Sequence, residues 1–142
     1  MKYIIMVSHG EFAQGLHSAV KMMVGDKPEI LSYSLKESMG TNDFAEGFKE
    51  LVKDIEMSDE VIVLGDILGG SPLTTSLSIL SDKGLLKNTL VFTGMNMPLA
   101  ITAALMKDTL DKEMLIETLL SEGKEGISQF KLDANDDSEE DI

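Results

Sequence analysis

Short, fully apolar runs alternate along the chain with longer segments in which apolar residues recur at helical spacing. The first run, Tyr3-Ile4-Ile5-Met6-Val7, reads as a buried strand. From Phe12 the spacing becomes helical: Leu16, Ala19, Val20 and Met23 fall on one face, and the segment ends near Gly25. Ile30-Leu31-Ser32-Tyr33-Ser34 predicts a second strand, and its serines place it nearer a sheet edge. Thr41 or Asn42 can cap a helix whose inner face carries Phe44, Phe48, Leu51, Val52 and Ile55. Val61-Ile62-Val63-Leu64 is a third strand, apolar throughout. Ser71-Pro72 reads as a cap followed by proline at the first helical position, opening a helix to about Leu80. Leu90-Val91-Phe92-Thr93 is a fourth strand, and Asn96 and Pro98 start a helix to about Met106. A last helix spans about Asp111 to Glu122, and residues 127–132 read as a closing strand.

Repeated strand–helix alternation, with strands apolar on both faces, predicts an α/β fold. The expected architecture is a doubly wound, mainly parallel sheet of four strands with helices on both faces and right-handed crossovers. The closing strand needs a sheet edge. Exchange with a second subunit supplies one and covers an edge otherwise open to aggregation, so a homodimer is expected. Its alternation places Phe130 and Leu132 on a buried face. A single domain is expected over residues 1–132, followed by an acidic tail at 133–142 whose like charges, lack of aromatics and few apolar residues read as disorder.

Composition then narrows the classes of function. A chain of 142 residues, 43% hydrophobic and 26% charged, is large enough for one substantial core. A net charge of −13 argues against nucleic acid, whose phosphates it would repel. No stretch reaches the roughly 18 apolar residues of a membrane helix. The first apolar run is too short for a signal peptide. Without cysteine there is no disulfide and no thiolate zinc site. The chain reads as cytoplasmic, with no direct membrane insertion.

In doubly wound sheets ligands bind beyond the carboxyl ends of the strands, where the winding reverses. Polar residues gather at those positions. Ser8-His9-Gly10 follows the first strand, Gly65-Asp66 with Gly69-Gly70-Ser71-Pro72 follows the third, and Thr93-Gly94-Met95-Asn96 follows the fourth. With two histidines and no cysteine, few side chains can act as nucleophiles near neutral pH, and His9 is the candidate. If the first and third strands are neighbours, Asp66 emerges beside it. A carboxylate there can bind Nδ1–H, leave a lone pair on Nε2, and balance the charge that develops on the ring. Gly69 and Gly70 let the backbone come close. Helix N–H groups and the Ser71 hydroxyl can then hold phosphoryl oxygens.

Each signal alone has a plainer reading: a polar loop histidine, a turn-forming aspartate, a common turn composition. Their conjunction at adjacent strand ends is what points to phosphorylation on His9. His17, beside core-facing Leu16, reads as solvated. The ten methionines read as core filler, with Met95 and Met97 at the rim of the site. Phosphate-loop, dinucleotide and nucleophile-elbow motifs are absent, as are metal-ligand spacings. A serine hydrolase built from Ser71, His9 and Asp66 has no recognisable nucleophile context.

Together, Ser8-His9-Gly10, the segment 61–77 with Asp66 and Gly69-Gly70-Ser71-Pro72, and Gly94-Met95-Asn96-Met97-Pro98 resemble the mannose-family enzyme IIA component of the sugar phosphotransferase system. The resemblance covers about residues 1–130. The phosphotransfer subunit of dihydroxyacetone kinase shares these motifs, and a non-catalytic regulatory module is the reading outside enzymes. The resemblance implies a phosphotransferase in which HPr donates to His9 and His9 passes the group to a IIB component. Asp66 would orient and charge-balance the histidine, and Gly69, Gly70 and Ser71 would cradle the phosphoryl group. IIC and IID would be the membrane partners for sugar uptake. It also implies a homodimer with an exchanged C-terminal strand, no cofactor and no metal. The chain ends in an acidic tail in place of an Ala/Pro-rich linker, so IIB is expected on a separate polypeptide.

Overall fold

The computed structural model describes residues 1–133, so the acidic tail read as disordered lies, from residue 134 on, outside the described residues. The element order is β1 (Lys2–His9), α1 (Phe12–Val24), β2 (Ile30–Leu35), α2 (Thr41–Leu51), β3 (Glu60–Gly65), α3 (Ser71–Asp82), β4 (Thr89–Phe92), α4 (Met97–Met106) and α5 (Lys112–Glu125). A single 3₁₀ turn, Leu86–Asn88, precedes β4. All pairings are parallel, in the order β2-β1-β3-β4. The chain therefore winds one way from β1 to β2 and the other way through β3 to β4. The reversal falls between β1 and β3, as the doubly wound reading expects.

The strand residues explain the two layers. Along β1, Ile4 and Met6 face one side, with α1, α4 and α5, while Ile5 and Val7 face the other, with α2 and α3. All four are fully buried, which is why β1 and β3 read as continuous apolar runs and not as alternating ones. Helix α4, apolar around nearly its whole circumference, packs against both α1 and α5. No helix among the described residues is long and apolar enough to cross a membrane.

Several local expectations are corrected. Gly40, not Thr41 or Asn42, occupies the cap position of α2, and this helix ends at Leu51; Val52 and Ile55 are buried in the turns beyond it. Gly70 likewise caps α3, so Ser71 is its first residue and Pro72 its second. Asn96 caps α4 as expected, accepting from the Leu99 N–H at 3.0 Å. Met23 is exposed, and Val24 packs on the core in its place. Residues 127–132 form no strand within the single chain, and Ile127, Phe130 and Leu132 are exposed. The physical reason is the need for an edge: an extended segment is stable only where its backbone groups find partners.

At the amino ends of the strands sits an ion cluster built on a buried lysine. The Lys107 side chain is 3% exposed and reaches the carboxylates of Asp108 at 2.8 Å and Glu29 at 3.2 Å. Burial pulls its ammonium pKa down, but the bonds to Asp108 and Glu29 outweigh this and hold it above the ordinary value. Asp108 is held low by its bond to Lys107, and Glu29 by its own backbone N–H and then by Lys107. Lys107→Met should cost about 2 kcal/mol in urea unfolding at pH 7, because it strands Glu29 without its cation. Both carboxylates have depressed folded-state pKa values. Their contribution is complete above the ordinary carboxylate range and is lost as pH falls through the folded values, so the deficit of the variant should shrink below about pH 4.

Candidate functional site

β1 ends on Ser8 and His9, and the chain then turns through Gly10, whose φ of 60° lies in the left-handed region that glycine adopts freely. The Gly10 N–H bonds the Leu35 carbonyl at 2.9 Å, tying the turn to the end of β2. Across β1 on its other side, Val7 pairs with Gly65, so Asp66 emerges beside His9. The bonds Gly94 N–H to Asp66 O (3.2 Å) and Met95 N–H to Gly65 O (3.0 Å) fasten this end of β3 to the loop after β4.

One carboxylate oxygen organises the pair. Asp66 Oδ2 accepts the His9 backbone N–H at 2.9 Å and lies 2.8 Å from His9 Nδ1. Oδ1 accepts the Ile67 N–H at 2.9 Å. Burial pushes the Asp66 pKa up, but the bonds from the His9 backbone, the His9 ring and the Ile67 N–H together outweigh it and hold the carboxyl below its ordinary value. An ionised carboxylate only accepts, so the ring nitrogen facing it must carry the proton. In the neutral ring the tautomer is therefore Nδ1–H, with the lone pair on Nε2. The imidazole is 46% exposed and its carboxylate partner 13%, which leaves the ring reachable while its anchor is shielded.

The third part of the site is the turn into α3. Gly69 takes φ 86°, and Gly70 lies so close to the imidazole that a Cβ built there would sit 2.6 Å from His9 Cε1 and 3.4 Å from Nε2. The first-turn N–H groups of a helix have no partner within it, so the start of α3 brings unfilled donors and partial positive charge to the ring edge. Ser71, the first helical residue, is exposed and does not cap the helix. His9 thus meets both Asp66 and Gly70, Gly69 shapes the turn, and Ser71 opens the helix. Phe12, Ile67 and Leu68, on segments that follow β1 and β3, are 49%, 55% and 82% exposed, an apolar fringe suited to a macromolecular partner.

Other expectations are corrected. Met95 is buried in the core, since its backbone bond to Gly65 draws it inward; Met97 is half-buried. His17 is half-buried, with Nδ1 2.8 Å from Ser32 Oγ, and burial lowers its pKa. It lies against β2, away from the Asp66 pair. Beneath His9 lies a polar cluster of Ser8, Ser34 and Gln14, to which the motif reading assigned no role. Ser8 and Ser34 pair in register and are fully buried, polar residues at the ends of otherwise apolar strands. That paired polarity was the available signal.

A doubly wound parallel sheet with a carboxylate-bonded histidine at its switch point, beside a helix amino terminus, defines an α/β protein whose candidate site lies at the carboxyl ends of its strands. The family is narrower than that class. Residues 3–120 match the model of the EIIA-man family, described as the PTS system fructose IIA component. The chain belongs to this family of phosphotransferase-system IIA components. It is 23% identical over 116 residues to a fructose-specific EIIA component of Bacillus subtilis (strain 168), covering 82% of this chain and 77% of that protein. The crystal structure of phosphotransferase component EIIA from Streptococcus agalactiae superposes with a TM-score of 0.75 at 25% identity, covering 91% of this chain and 97% of that one. A PTS IIA protein associated with the fucose utilisation operon of Streptococcus pneumoniae superposes with a TM-score of 0.76 at 27% identity, covering 90% and 92%. Membership implies phosphotransfer in sugar transport, with HPr and a IIB component as partners.

Proposed function

We propose that the chain is a cytoplasmic phosphocarrier that accepts a phosphoryl group from phospho-HPr on His9 Nε2 and hands it to a IIB component serving IIC and IID. The observation that carries this reading is the double acceptance by Asp66 Oδ2 of the His9 N–H and the Nδ1 proton. In the accepting step the Nε2 lone pair forms a bond to phosphorus while the donor's P–N bond breaks, its electron pair returning to the donor imidazole. The His9 ring gains positive charge, which Asp66 balances through Nδ1–H. Donors at the start of α3, with Ser71, take the equatorial oxygens. The onward step runs the same exchange in reverse. Incubation with phosphoenolpyruvate, enzyme I and HPr should place one acid-labile phosphoryl group on the chain. An unlabelled chain beside a labelled HPr would refute the reading.

Gly70→Ala tests the close approach of the turn. Its Cβ at 2.6 Å from His9 Cε1 must displace the ring or the turn. A misplacement of about 1 Å costs on the order of a hundredfold in rate, so labelling should slow by about that factor while the fold is retained, as followed by circular dichroism.

The dimer belongs to the same proposal. The far edge of β4 is unpaired among the described strands, and residues 127–132 present exposed Ile127, Phe130 and Leu132. Exchange of this segment onto a partner's edge would bury both. Light scattering at micromolar concentration should give a dimer mass for the full chain and for a chain ending at residue 132, and monomers or aggregates for one ending at residue 126.

A further inference from the structure

We propose that Ser8 is a positioning residue for His9: its buried hydroxyl fixes the His9 peptide from below while Asp66 fixes it from the side. This rests on His9 being the phosphoryl acceptor and adds a determinant that the His–Asp pair does not contain. Helix α1 has no cap from its own flanking residue, Glu11. In its place the Ala13 N–H donates to Ser8 Oγ at 2.7 Å, and Ser8 Oγ donates to the His9 carbonyl at 3.0 Å. The hydroxyl is thus inserted between a helical N–H and the carbonyl four residues before it, where a direct bond would otherwise close the turn.

The surrounding network encloses that hydroxyl. Ser34 Oγ donates to Gln14 Oε1, so its proton is committed, and Ser8 Oγ lies 3.1 Å from the Ser34 oxygen. The single Ser8 proton is shared between the His9 carbonyl and Ser34 Oγ, while its lone pair holds the first turn of α1. Ser8 and Ser34 are 0% and 1% exposed, so water does not replace these bonds. The next peptide needs such restraint. Gly10 adopts φ 60° with no neighbour within 4 Å of where a side chain would be, so the His9–Gly10 peptide plane is held by bonds and not by sterics: the Gly10 N–H to the Leu35 carbonyl at 2.9 Å on one edge, and the His9 carbonyl to Ser8 Oγ at 3.0 Å on the other. With the N–H held by Asp66 and the carbonyl by Ser8, both polar groups of the His9 backbone are fixed by side chains. The imidazole is then presented at one height above the sheet, where Nδ1 meets Oδ2 and Nε2 faces outward.

The test compares the wild type with Ser8→Ala and with Ser8→Cys, which keeps a side-chain XH group at the same position, on a larger atom that hydrogen-bonds weakly. Thermal midpoints and transfer rates from phospho-HPr are measured below the unfolding range, together with His9 ring ¹⁵N shifts in the unphosphorylated proteins. For Ser8→Ala the expected outcome is a transfer kcat about tenfold lower at unchanged KM for phospho-HPr, with His9 shifts moved toward a tautomer mixture, the scale of losing one orienting hydrogen bond. Ser8→Cys should lie between, and it carries the test if Ser8→Ala does not fold. A lower thermal midpoint with wild-type kcat and wild-type ring shifts in the folded variants would overturn the proposal and leave Ser8 purely structural. Failure of the wild type itself to be labelled on His9 would instead remove the phosphocarrier reading. The ring shifts would then still decide whether Ser8 positions the imidazole.

Discussion

His9→Ala should abolish labelling from phosphoenolpyruvate, enzyme I and HPr, whereas His17→Ala should be labelled at close to the wild-type rate. The two histidines share a chain and a chemical group but not an environment. His9 has Nδ1 against a carboxylate at 2.8 Å and stands beside the start of α3. His17 has Nδ1 against a serine hydroxyl, no carboxylate bonded to its ring, and a lowered pKa from burial. A phosphorylated imidazole carries charge that needs a counter-charge, and His9 has one in contact. Since His17 lies against β2, away from the site, removal of His9 leaves no imidazole there and the expected loss is complete. His9 lies half exposed at a loop entrance, so the alanine variant should unfold at nearly the wild-type temperature.

Asp66→Asn should slow transfer by about two orders of magnitude or more, the scale of an electrostatic or acid–base contribution. The amide has nearly the shape of the carboxylate, and its oxygen can still accept one of the bonds that Oδ2 now accepts. What it lacks is charge. It no longer compels the proton onto Nδ1, and it cannot balance the ring once phosphorus is bound. The same logic sets an acid limit. Because the folded-state pKa of Asp66 is depressed, its carboxylate stays ionised through the ordinary carboxylate range, and its counter-charge is lost only as pH drops through the lowered value. An Asp66→Asn protein that is well folded and transfers at the wild-type rate would separate the carboxylate from the chemistry.

Much of this site was legible because a parallel sheet sends every strand's carboxyl end to one side. Once the apolar runs at β1 and β3 were recognised, His9 and Asp66 had to emerge at the same edge, and strand adjacency made them neighbours. The details set by three-dimensional packing were not legible. Glycine caps at Gly40 and Gly70 outcompeted nearby Thr41 and Ser71, whose capping preference is a local property. His17 looked solvated on a helical wheel because the wheel omits Ser32 on β2. Met95 read as a rim residue because its sequence neighbours are polar, whereas its backbone bond to Gly65 turns it into the core. Ser8 read as the polar end of a strand, and its role depends on Ala13 and Ser34, five and 26 residues away. The alternation at 127–132 is genuine, but alternation specifies a strand only where an edge is available.

The central claim is that Asp66 commits the proton to Nδ1 and leaves Nε2 of His9 to take the phosphoryl group. The most direct measurement is ¹⁵N and ³¹P NMR of ¹⁵N-histidine-labelled protein, phosphorylated through enzyme I and HPr and held at alkaline pH. The account predicts one phosphoramidate, on Nε2 of His9, with the proton retained on Nδ1 and His17 unchanged. A phosphoryl group on His9 Nδ1, on His17 or on Ser71 would contradict it.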